Sequence, residues 1–60
     1  MTYQDAMTQV ARFNTLTMAT YYKNRAQNRW IVLGDDNQFW VTTRRAAMVL
    51  VGFGYELLEG

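Results

Sequence analysis

The chain has no cysteine, no histidine and no serine. No disulfide can tie it together, and the usual zinc sites, built from Cys and His, are excluded. A domain of 60 residues without either staple depends on packing alone. The same gaps remove most catalytic equipment. There is no imidazole to act as a base near neutral pH, no thiol or serine hydroxyl to act as a nucleophile, and none of the threonines is N-terminal. A glycine-rich phosphate loop is missing too, because Gly52 and Gly54 follow a helical segment instead of opening one. Long apolar runs are absent: Ala46 to Tyr55 reaches about half of the ~20 residues that a membrane span requires. The first residues are polar and include Asp5, unlike a signal peptide. The expectation is a cytoplasmic, non-enzymatic protein with no cofactor, no metal and no membrane partner.

Charge is sparse and nearly balanced. The net charge of +1 argues against a dominant attraction to nucleic acid or membrane. Its distribution is uneven: every Lys and Arg lies at or before Arg45, and the tail from Ala46 carries only Glu56 and Glu59. Apolar residues, by contrast, are plentiful. Half of the chain is hydrophobic, and two Trp, four Tyr and three Phe are present. A chain this short buries only ~60% of its unfolded surface, so some of that load is expected to meet another chain, whether a partner or a second copy. The competing account is that Tyr and Trp simply show their polar ends to water.

The fold expected is α+β, a single domain over residues 1–60 organised around a hairpin at 29–43. Trp30-Ile31-Val32-Leu33 and Phe39-Trp40-Val41-Thr42 are β-branched and aromatic runs flanking Gly34-Asp35-Asp36-Asn37-Gln38, which has turn chemistry. A two-residue turn at Asp36-Asn37 sets Leu33 opposite Trp40, Val32 opposite Val41, and Phe39 over Gly34; a three-residue turn shifts that pairing. Ahead of the hairpin, Thr2 and Asp5 have the spacing of a capping box, and Ala6, Met7, Val10 and Ala11 recur at helical spacing, predicting a helix to about Phe13 that ends at Asn14-Thr15. From Leu16 the apolar residues alternate, which predicts a strand to about Tyr22, and Lys23 to Asn28 then connects it to the hairpin. The three strands would make an antiparallel meander. A first helix continued to Tyr22 is the competing reading. After the hairpin, Thr43 caps a second helix from about Arg44 to Phe53, terminated by Gly54, and Tyr55-Glu56-Leu57-Leu58 can add a short strand. That helix is apolar nearly all round, which makes Met48 and Val49 candidates for contact outside the monomer.

Three groups of residues bear on function. Asp35-Asp36 are adjacent acids, and turn formation explains them better than cation binding, because calcium needs more oxygens and the EF-hand spacing is absent. Tyr21, Tyr22, Arg25, Arg29 and Trp30 mix rings with cations, a combination suited to stacking bases and holding phosphates and equally ordinary on a protein surface. Arg44 and Arg45 stand at the positive end of a helix dipole, an unfavourable effect of roughly 0.3–1 kcal/mol each. An anionic partner would offset it; so would side chains reaching back to Asp35, Asp36 or Glu56, or solvation at small cost. With Trp40 and Met48 added, these residues predict a small accessory or inhibitory protein that binds a protein partner, or itself, through an aromatic and apolar face with an arginine rim. The alternative is a small nucleic-acid-binding protein using Arg44, Arg45 and the segment Tyr21 to Arg29.

Overall fold

The computed structural model describes all residues from Met1 to Gly60. Seven elements follow in order: α1 (Tyr3–Met7), β1 (Ala11–Phe13), α2 (Leu16–Arg25), β2 (Arg29–Leu33), β3 (Phe39–Thr43), α3 (Arg44–Gly52) and β4 (Glu56–Glu59). The strands form one antiparallel sheet in the order β1-β3-β2-β4. The α+β class, the hairpin, the helix after it and the short final strand are all present. No helix is long and apolar enough to cross a membrane.

Both faces of the sheet are covered. Side chains alternate along a strand, and in the central pair Val32 lies opposite Trp40 while Ile31 lies opposite Val41. Val32 and Trp40 pack under α1 and α3, against Ala6, Ala46, Ala47 and Leu50. Ile31 and Val41 point the other way and are covered by Ala19 of α2. The molecule is therefore three layers, with the hairpin in the middle.

Two elements differ from the sequence reading. The first helix stops at Met7, and Val10-Ala11 do not continue it: Ala11–Phe13 instead pair with Val41, Trp40 and Phe39 as an edge strand. The segment from Leu16 is a helix that runs on to Arg25, neither the expected strand nor an extension of the first helix. Thr15 caps it, its hydroxyl accepting from the Met18 amide at 3.2 Å. Lys23 and Arg25 in the last turn suit its negative end. The meander would set a strand from 16–22 beside β2; that place is taken by β4, and β1 takes the opposite edge beside β3.

The turn is the three-residue alternative. The Gly34 amide donates to the Gln38 carbonyl at 2.9 Å, closing Asp35-Asp36-Asn37, and Asn37 takes the left-handed conformation at φ 63°. Leu33 thus faces Phe39 and Val32 faces Trp40, one residue away from the two-residue register. Gly34 is covered by a ring as expected, but the ring is that of Trp40: a Cβ on Gly34 would overlap the indole. The predicted caps hold. Thr2 and Asp5 form the reciprocal capping box, and Thr43 accepts from the Ala46 amide at 3.2 Å. Gly54, at φ 105°, ends α3 while the Gly54 and Tyr55 amides donate to Val51 and Leu50, the pattern of a Schellman close.

Candidate functional site

The turn acids organise a ring cluster. Asp36 Oδ1 accepts from the Gln38 amide at 3.0 Å and from Trp40 Nε1 at 3.1 Å. Asp35 Oδ2 accepts from the Tyr55 hydroxyl at 3.2 Å, and the Tyr3 and Tyr55 hydroxyls lie 2.7 Å apart. Trp40 and Tyr55 have centroids 5.2 Å apart, and the Arg12 guanidinium lies 4.8 Å from the Trp40 ring and 3.8 Å from Asp36. The hydrogen bond to Tyr3, partial burial and the charge of Asp35 all hold the Tyr55 phenol above its ordinary pKa. Asp35 and Asp36 therefore make the turn, as expected, and also fasten rings from β3 and the α3–β4 connection. This is packing chemistry. Trp40, included above among the partner-contacting residues, is corrected to a core residue: it is 1% exposed.

The remaining residues divide between opposite faces. On one side of the sheet, Tyr21, Tyr22 and Arg25 stand along α2 and, with Phe13, Thr17, Met18 and Ala26, line an open groove of about 620 Å³. Phe13 of β1 packs against Tyr22 with centroids 5.2 Å apart and forms the wall. The Arg25 guanidinium lies 5.7 Å from the Tyr21 ring, and its Nη1 donates to the Tyr21 hydroxyl at 3.3 Å. Arg29 lies on the same side, where it shares a second depression with Tyr22, Val41 and Thr43.

On the other side, Arg44, Arg45 and Met48 surround a depression of about 520 Å³ with Met1 and Val49. Met48 is exposed and Val49 half-buried against the core. Trp30, also half-buried on this side, has the Arg44 guanidinium 5.8 Å from its ring centroid. Neither arginine reaches a carboxylate. The two ion pairs of the molecule are Arg12 with Asp36 and Lys23 with Glu59, so the idea that Arg44 and Arg45 fold back onto Asp35, Asp36 or Glu56 is corrected: Arg44 is set over an indole instead.

Leu16 and Met18 fall in the segment expected as a strand and Phe13 at the end of the expected first helix, so the sequence reading does not bring them to one surface. Along a helix, Met18, Tyr21, Tyr22 and Arg25 fall at i, i+3, i+4 and i+7, which is one stripe. α2 leaves Leu16 46%, Met18 56%, Tyr21 64% and Tyr22 39% exposed. Comparison with protein-family models, with curated proteins and with solved structures finds no match.

Proposed function

We propose that this is a non-catalytic protein-binding module, of the accessory or inhibitory kind, whose docking face is the outer side of α2. The supporting observation is that three large apolar residues, Met18, Tyr21 and Tyr22, are exposed together on one stripe of the helix. They adjoin the groove over Phe13, with Arg25 at its end. Isolated exposed apolar residues are ordinary, whereas contiguous ones rimmed by polar groups mark association, and Tyr and Arg are the types that dominate binding energy at interfaces. The apolar outer side of α3, with Met48, Val51 and Phe53 exposed, is a separate surface suited to self-association.

The nucleic-acid reading loses support from the same geometry. Its two groups of residues, Arg44-Arg45 and Tyr21 to Arg29, stand mainly on opposite faces of the sheet, so they do not form one track for a strand. Affinity capture from the native host tests the proposal with three baits: the wild type, Met18→Ser/Tyr21→Ser, and Arg44→Glu/Arg45→Glu. A protein held by the wild type and lost only with the first variant supports α2. Loss only with the second variant moves the site to α3. Recovered nucleic acid, released steeply by salt, favours the alternative.

A further inference from the structure

The α2 side of the molecule carries an excess of cations, Lys23, Arg25 and Arg29 against Glu59. From Ala6 to Gly34 the chain contains Arg12, Lys23, Arg25 and Arg29 and neither Asp nor Glu. Arg12 and Lys23 have carboxylate partners in Asp36 and Glu59. Arg25 and Arg29 have none. Arg29 donates to the Gln27 carbonyl of its own loop at 3.4 Å, while Arg25 stands at the groove, steadied against Tyr21. A guanidinium has five N–H donors, and the bond to Tyr21 uses one of them, so the others remain for a carboxylate fork.

This charge pattern selects among occupants. A second copy docked on the same face by a two-fold axis would bring Arg25 and Arg29 against the same arginines, while Glu59, the acid beside α2, is already paired with Lys23. A single-stranded nucleic acid needs cations spaced along its backbone beside the rings, and Arg25 is the one cation among the groove residues, which are otherwise mostly apolar. An incoming β-strand would find an edge of three residues, Ala11–Phe13, too short to hold it well. The stripe Met18, Tyr21, Tyr22 and Arg25 spans about 10 Å along the helix axis, the length that two turns of a partner helix present.

We infer that the α2 groove receives an acidic amphipathic helical segment of another protein, with apolar side chains against Met18, Tyr21 and Tyr22 and a carboxylate on Arg25. This rests on the reading of α2 as the docking face.

The test is a display selection of random helical peptides of about 16 residues against the intact protein. Selected peptides are then mapped by amide chemical shifts, with an oligothymidylate titrated in parallel. Enriched peptides should be amphipathic and net negative, should shift Phe13 and Met18 to Arg25 while leaving Arg44 to Met48 unmoved, and should bind Arg25→Gln about three- to tenfold more weakly. Peptides that map to α2 without negative charge would remove the acidic partner and leave the docking face standing. Peptides that map elsewhere, or none surviving selection, would remove both. Oligothymidylate shifting α2 at lower concentration than any peptide would replace the protein partner with nucleic acid.

Discussion

Gly34→Ala adds one methyl group beneath the Trp40 indole, at the turn end of the hairpin. Gly34 is buried in the hairpin, and its φ is not in the left-handed range, so alanine fits the backbone. On backbone grounds alone the change would stabilise the fold by ~0.4–1 kcal/mol, through the less flexible unfolded chain. Space reverses the sign. The new Cβ would overlap Cε2 and Nε1 of Trp40 and lie 2.6 Å from Cζ2. The indole has little room to give way, being hydrogen-bonded to Asp36, packed by Tyr55 and covered by Arg12. Overpacking of a held side chain costs ~1–3 kcal/mol, so the net destabilisation should be about 1–2 kcal/mol. At ~0.05–0.15 kcal/mol per residue the whole domain has roughly 3–9 kcal/mol to lose. Urea unfolding followed by near-UV circular dichroism should show a lower midpoint with an unchanged slope. In a Trp40→Phe background, whose smaller ring leaves room, the same substitution should cost less, a coupling that the double-mutant cycle reads directly. Unchanged or raised stability of Gly34→Ala, with no coupling to position 40, would show that the indole does not lie over Gly34 and would refute the hairpin packing described above.

Thr15→Ala should cost ~1 kcal/mol and reduce helical circular dichroism, because it removes the cap of α2; no change in either would argue for a strand over 16–22. The Tyr55 phenol is protonated more firmly in the folded protein than in the unfolded chain, chiefly through its bond to Tyr3. Between the two pKa values the unfolded state has lost a proton that the folded state keeps, so stability is intact below pH ~10 and declines as pH rises beyond it. Alkaline denaturation of Tyr55→Phe should show a shallower decline than the wild type, and an identical pH dependence would count against the Tyr3–Tyr55–Asp35 chain.

The hairpin and α3 were legible because several local signals agree there: β-branched and aromatic runs, a turn rich in Asp and Asn, a threonine cap and a glycine stop. Turn length was not, since Asp36-Asn37 suits a two-residue turn and the three-residue one equally. The choice of Asn37 for the left-handed position brings Trp40 onto the face of Val32 and over Gly34. The segment 16–25 misled because Leu16, Met18, Thr20 and Tyr22 alternate like a strand. Yet the hairpin held a contrary signal. Ile31-Val32-Leu33 and Phe39-Trp40-Val41 are apolar at successive positions, which marks a sheet covered on both faces. In the structure α1 and α3 cover one of those faces, which leaves the other to α2. β1 offered no comparable mark: three residues with one arginine at their centre carry too little pattern to name an edge strand.

That second cover also accounts for the groove. α2 turns Ala19 toward Ile31 and Val41, where it is fully buried, and holds Leu16, Met18 and Tyr21 outward. The usual amphipathic helix does the reverse, putting its large apolar residues against the core. A small inward residue lets the helix lie close on a sheet already filled by Ile31, Val41 and the flanking Phe39 and Leu58, and Thr15 and the basic last turn stabilise the helix end by end without help from its outer rings. The outer rings are thus not needed to cover this sheet face. Met18 and Tyr21 at those outward positions are the residues that the proposed docking face would cover. The pairing of Arg12 and Lys23 with the molecule's own acids, against the unpaired state of Arg25, puts the one available groove cation at the end of that apolar stripe.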